Sequence, residues 1–309
     1  MVVLLKSIDT LKVKIMKEYF FPITFVLLYG SGFVFTQYGL ENVSPMLFLL
    51  IRFFIAFLIL FAISYIFKLF KNIKLIQIFH ISIAGMLTVG VFSIGVYLSL
   101  SLGTSASLSS LIITLQPLLV TILATIFLKE KITFNMYLGL CLGLVGVFFI
   151  VGINLENSTF LGVLFSIFAL LGLSFGSLYQ KKYCSSMNLF AGGAIQTFAS
   201  ALLVLPFLYF ENRYLNFNLD FIIALSYMSI AVSIGALSIL YIMIKNSEIS
   251  KVSSVFYLIP ISALTLSFIL FDKQIDITII IGVITIIIAM ILINKKEKNE
   301  SFIANRYSK

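Results

Sequence analysis

Apolar residues along this chain neither alternate with polar ones nor form a narrow helical stripe. They run on in stretches of roughly 18 to 25 residues, each long enough to cross a ~30 Å hydrocarbon layer as an α-helix, and give way only to short polar segments. The pattern predicts membrane spans near 19–38, 45–67, 77–99, 104–128, 134–153, 159–180, 189–210, 220–244, 249–271 and 276–294. Helices are the form expected, because an open sheet could not satisfy its edge groups in lipid and barrel strands would alternate in polarity. The fold class expected is an all-α integral membrane protein of ten transmembrane helices.

Charge tests this map, since cytoplasmic loops collect Lys and Arg. With the N-terminus inside, the inner segments hold Lys6, Lys12, Lys14, Lys17, Lys68, Lys71, Lys74, Lys129, Lys131, Lys181, Lys182, Lys245, Lys251, Lys295, Lys296, Lys298, Arg306 and Lys309, and the outer ones hold Arg213 and Lys273. A wrong helix count would scramble that division. Both termini are therefore expected in the cytoplasm, residues 1–18 and 295–309 forming basic tails, and the protein is expected in the cytoplasmic membrane as a multi-pass chain.

A repeat lies within the apolar pattern. Gln116-Pro117 is followed by Lys129-Glu130-Lys131 and Gly139, as Ile259-Pro260 is followed by Asp272-Lys273-Gln274 and Gly282, with the same offset of 143 residues from Pro117 to Pro260 and from Gly139 to Gly282. Gly30-Ser31-Gly32-Phe33 parallels Ser174-Phe175-Gly176-Ser177, and Ser44-Pro45 through Arg52 parallels Asn188-Leu189 through Gln196. The units are residues 19–153 and 154–294. Five helices is an odd number, so the second unit enters the membrane from the opposite side and the repeat is inverted, an arrangement that places a site near the midplane.

Composition narrows the function. With 61% hydrophobic and 11% charged residues and a mean hydropathy of +1.15, the chain holds more apolar surface than one soluble core could hide. The net charge of +9 is spread between spans instead of forming one basic surface, so no nucleic-acid partner is expected. Short connections leave no room for a nucleotide-binding domain, and no phosphate-cradling loop ending in Lys-Ser/Thr is present. Cys141, Cys184 and the single His80 make no metal or disulfide pattern. Intramembrane enzymes need paired acids, a Ser with His, or a metal site within the spans. None is found, so neither catalysis nor a cofactor is expected.

These residues resemble the drug/metabolite transporter superfamily, specifically its EamA-type ten-helix members built from two five-helix units. The resemblance runs over nearly the whole chain and is carried by Leu28-Tyr29-Gly30-Ser31-Gly32-Phe33, by Ser44-Pro45 through Arg52-Phe53, and by Ser105-Ala106-Ser107-Leu108 through Gln116-Pro117 to Lys129-Glu130-Lys131 and Gly139. Where the family frequently has Trp before the first glycine, this chain has Tyr29. The resemblance implies secondary transport, with a central cavity lined by helices 4 and 9. Relatives export amino acids, metabolites or drugs, while others move nucleotide-linked or lipid-linked sugars.

Within the spans, Gln116, Tyr257, Gln196, Arg52, Tyr97 and Tyr179 are the candidates for the solute path, and Pro117 and Pro260 are the candidate hinges. Each proline removes one backbone donor and disturbs the carbonyl four residues earlier, at Ile113 and Phe256. A packing kink is the alternative. Arg52 is the one cation inside a predicted span, ~10 Å below the outer surface at 1.5 Å per residue. It reads either as an anion contact or as a tie to neighbouring carbonyls. The buried Gln and Tyr side chains read as solute contacts or as interhelical glue. Gly139, Gly143, Gly146 and Gly282 fit tight packing or a homodimer contact. No Asp or Glu lies deep in a span, which argues against proton antiport through a buried acid and for a small neutral or zwitterionic solute, such as an amino acid or derivative, carried by alternating access. A sugar translocator and a non-transporting scaffold are the competing readings.

Overall fold

A computed structural model describes residues 19–71, 73–104, 106–151, 159–262 and 277–294. The expected tails at 1–18 and 295–309, the ninth span beyond residue 262, and Asp272 with Lys273 lie outside these residues. The described chain is helical. α1 is Phe21–Leu40, α2 is Pro45–Ile66, and α3 is Leu75–Ser101 with a π-helical stretch at Met86–Val91. The fourth apolar run is broken into α4, Ala106–Ile113, and α5, Gln116–Leu128; α6 is Phe134–Val151. α7 is Phe160–Tyr183, α8 is Leu189–Tyr209, and α9 is Leu219–Asn246 with a π-helical stretch at Tyr227–Ala236. α10 is Ile249–Ser254, running on as a 3-10 turn at Val255–Leu258, and α11 is Ile277–Asn294. Among the described residues there is no strand; Val43 and Leu215 form one isolated antiparallel bridge.

Helix starts follow from side chains that accept the first free N–H groups. Asn188 Oδ1 accepts from Phe190 and Ala191 at 3.0 and 3.2 Å, Thr159 Oγ1 from Gly162 at 3.1 Å, and Asn218 Oδ1 from Phe221 at 2.8 Å. Pro45 opens α2, where its missing N–H costs nothing. α5 ends on Lys129, in the left-handed region at φ 57°.

Among the described residues six helices are long and apolar enough to cross a bilayer, and four shorter apolar helices accompany them. Their exteriors are apolar as well. On α11, Ile277, Ile280, Ile281, Ile284, Ile287, Ile288 and Ile291 are exposed, while Ile286, Ala289 and Ile293 are buried against α6. A helix with isoleucine on its outer face needs hydrocarbon, not water, as its solvent.

The packing repeats across the two halves. α6 pairs with α11 and α2 with α8, each helix lying against its own counterpart, and the pair α3–α7 is mirrored by α9–α1. The mirror reaches single residues: a Cβ on Gly139 would stand 2.8 Å from the carbonyl of Ala289, and one on Gly282 would stand 2.6 Å from the carbonyl of Gly146, related by the 143-residue offset. The glycine faces of α6 and α11 are thus consumed by packing within the chain, so they offer no ground for a homodimer contact. The π-helical stretches of α3 and α9 also sit in counterpart helices.

Candidate functional site

Four helices enclose a cavity: Tyr29, Gly32 and Thr36 from α1, Arg52 from α2, Phe92, Ser93, Val96 and Tyr97 from α3, and Met228 and Val232 from α9. Gly32 makes room for it, since a Cβ there would already approach Val232 at 3.2 Å. Arg52, 5% exposed, reaches it from α2. Its Nε donates to Ser233 Oγ at 2.8 Å and its Nη1 to the Tyr97 hydroxyl at 3.4 Å, and its guanidinium lies 5.5 Å from the Phe53 ring centre. Tyr97 in turn meets Thr36 Oγ1 at 3.2 Å. Ser233 donates onward to the carbonyl of Met228 at 2.9 Å, five residues back, a reach that its π-helical backbone provides. Aromatic rings pack beside the cavity: its lining residue Tyr29 packs on Phe92 and on Phe256, and Phe256 on Phe25, with ring centres 5.3 to 6.2 Å apart. The result is one buried cation among hydroxyls and apolar side chains.

Two sets of bonds tie the ends of the bundle. At the lysine-bearing end, Glu130 accepts from Ile249 N–H at 2.9 Å and from Ser250 N–H and Oγ at 3.3 and 2.7 Å, holding the exit of α5 on the start of α10. A carboxylate there also meets the positive end of a helix dipole. Lys181, from the last turn of α7, donates to the carbonyls of Ile244 and Ser247 at 2.6 and 2.7 Å, where α9 ends. At the opposite end, Glu211 accepts from Met46 and Leu47 N–H at 2.9 and 3.2 Å, and Tyr214, Asn216 and Asn218 bond to Leu40 and Asn42.

Of the residues singled out in the sequence, the structure brings Arg52 and Tyr97 together on the cavity. Tyr257, fully buried, stands against Gly143 and donates to Leu140 O at 2.9 Å in the seam with α6. Gln196 donates to Gln180 Oε1 at 2.7 Å beneath Gly85, and Tyr179 bonds His80 Nδ1 at 2.6 Å. Gln116 is buried at the start of α5; its Oε1 has no partner among the described residues. Pro117 falls within the first turn of α5, so the expected kink is a break between two helices. Pro260 follows the 3-10 turn of α10, whose Phe256 carbonyl accepts from Ile259 N–H. That carbonyl, expected to be freed, is therefore satisfied. The described cavity is lined by the first, second, third and eighth apolar runs instead of the fourth and ninth.

Thr36, Ser233 and Met228 were not legible as site residues. A lone hydroxyl in an apolar run looks alike whether it bonds its own helix or a neighbour. The single usable signal was Arg52 itself, since a buried guanidinium requires acceptors somewhere.

Comparison with known proteins fits this architecture. The EamA-like transporter family matches twice, over residues 16–152 and 160–295. The chain is 25% identical over 272 residues to the uncharacterized transporter YoaV of Bacillus subtilis, covering 85% of this chain and 92% of that one. It is 24% identical over 290 residues to an uncharacterized transporter of Archaeoglobus fulgidus, covering 91% and 100%. With YvbV of Bacillus subtilis it shares 26% identity over 196 residues, 62% of this chain and 64% of that one. A solved crystal structure superposes with a TM-score of 0.74 at 16% identity, over 94% of this chain and 98% of the other, a likeness of fold. The chain belongs to the EamA-like transporter family.

Proposed function

From membership in that membrane transporter family, we propose that this chain carries a small neutral or zwitterionic metabolite, such as an amino acid or derivative, out across the cytoplasmic membrane without ATP. Ten crossings in two inverted units, 19–153 and 154–294, with both tails cytoplasmic, are its frame. Supporting this are the double family match and the packing that repeats across the halves, with α4 and α5 counted as one broken crossing. The observation that carries the function is the cavity on Arg52, enclosed by helices from both halves. Alternating access then means exchanging which end is tied: Glu130 and Lys181 hold the cytoplasmic end, and Glu211 with the 214–218 segment holds the outer one. Arg52 and Tyr97 are the solute-contact residues of this reading, Pro117 and Pro260 its hinges. Reconstituted vesicles assayed against a panel of metabolites test it. Flux of at least one solute above empty vesicles is expected, and folded protein that moves none would overturn the reading.

A further inference from the structure

We infer that the Arg52 cavity reads a carboxylate. Its ligand is a small organic monoanion or zwitterion whose carboxylate pairs with the guanidinium and whose remainder lies on Phe92, Val96, Met228 and Val232. The inference rests on the transport reading for the word substrate, but not for the site.

Charge comes first. Arg52 is nearly as buried as the aliphatic core, yet no carboxylate pairs with it: among the described residues the one ion pair is the half-exposed Lys251–Glu248 contact. Along the whole sequence no Asp or Glu falls deep in an apolar run. Every bond seen on the guanidinium is to a neutral hydroxyl. A cation enclosed by lipid-embedded helices carries a desolvation cost that neutral partners offset in part and an anion offsets far better.

A guanidinium offers five N–H donors in a planar fork that matches the two oxygens of a carboxylate. Among the described residues Ser233 takes Nε and Tyr97 takes Nη1, the latter at a loose 3.4 Å, and Nη2 donates to no side chain or carbonyl. An incoming carboxylate oxygen would meet Nη1 together with the Tyr97 hydroxyl, whose other contact, to Thr36, is also long at 3.2 Å. The donors are grouped where an anion would sit.

The rest of the lining sets what the site ignores. Among the described residues no acid faces the cavity, and the Met228 carbonyl is engaged by Ser233. Nothing there requires an ammonium group. The site therefore distinguishes acid from amide or amine, while a free α-amino group is tolerated without being demanded. A purely neutral solute would leave the cation unpaired, so of the solutes proposed above this site keeps the zwitterions, drops the neutral ones and adds carboxylate monoanions. One cation also disfavours dianions.

Four matched probes decide it on the purified full-length protein at constant chloride: phenylalanine, 3-phenylpropionate, phenylalaninamide and phenethylamine. Thermal stability is followed by light scattering, because the chain has no Trp. A ligand that binds the folded state raises Tm by mass action. The two carboxylates are expected to stabilise at similar concentrations, the amide and the amine to need about tenfold more or to fail. Isovalerate against isovaleramide repeats the comparison with a smaller body. R52Q should lose the carboxylate response and R52K keep part of it. Equal response to acid and amide, no response to any acid, a response to nitrate as strong as to the acids, or an R52Q protein of unchanged Tm that still responds would each overturn the inference. The wild-type series needs no variant to fold. Flux separates the two proposals: acids that bind but cross no faster than through empty vesicles sink the transport reading and spare the site, whereas flux indifferent to a carboxylate does the reverse.

Discussion

Replacing Glu130 with glutamine tests whether the lysine-bearing end, cytoplasmic in the proposed topology, is held shut by the contact seen there. The carboxylate accepts three hydrogen bonds, at 2.9, 3.3 and 2.7 Å, two of them from N–H groups at the start of α10. Glutamine keeps the shape but presents one acceptor oxygen, and its NH2 group faces donors at Ser250. A bond to a charged group contributes about 1.5–3 kcal/mol, and the helix terminus adds about 0.3–1 kcal/mol. In the proposed alternating-access cycle the contact, which joins the two halves, exists in the closed state alone, so its loss falls there, and about 2 kcal/mol moves a two-state equilibrium roughly thirtyfold. Ser253, 2% exposed one turn into α10, supplies the reporter. In a background with Cys141 and Cys184 replaced, S253C should be modified by a membrane-impermeant thiol reagent from the cytoplasmic side about ten to thirty times faster with E130Q than without. Equal rates would refute the idea that this cap is a closure, and would make it a helix cap of the folded protein.

P117A restores a donor for the Ile113 carbonyl and lets α4 and α5 join, so with P260A it should slow the exchange between inward and outward accessibility several-fold; unchanged rates would return both prolines to packing. G282V places side-chain atoms where a Cβ already stands 2.6 Å from the Gly146 carbonyl. Overpacking of this kind costs about 1–3 kcal/mol, so Tm should fall by several degrees, and an unchanged Tm would mean that the α6–α11 seam can open freely. Burial pushes the Cys184 thiol up to about 11. The thiolate is the reactive form, so at pH 8 about one thiol in a thousand is ionised. Alkylation of native Cys184 should be slow at pH 8, rise about tenfold per pH unit toward 11, and become fast on unfolding. Fast labelling of the folded protein at pH 8 would contradict that burial.

How far the sequence reached differs from residue to residue. Arg52 announced itself because a cation in an apolar run is costly enough to need a reason. Gln116 and Tyr257 looked equally placed beside their prolines, yet Tyr257 spends its hydroxyl on Leu140 O and its ring on Gly143. Polarity within a span tells that a side chain needs a partner. It does not tell whether that partner is a helix or a solute.

The sequence by itself determined what is additive along the chain. Runs of apolar residues set the helices, loop charge gave the expected orientation, and the matched Pro and Gly positions revealed the repeat, because each depends on local composition or on spacing. Only the tertiary structure decided which helices meet: that α1, α2, α3 and α9 surround Arg52, that Ser233 and Tyr97 are its acceptors, and that Glu130 closes on α10. Those partners lie between 45 and 181 residues apart in the chain. In hydrocarbon most faces of a helix look alike, so close packing, not polarity, chooses the neighbour.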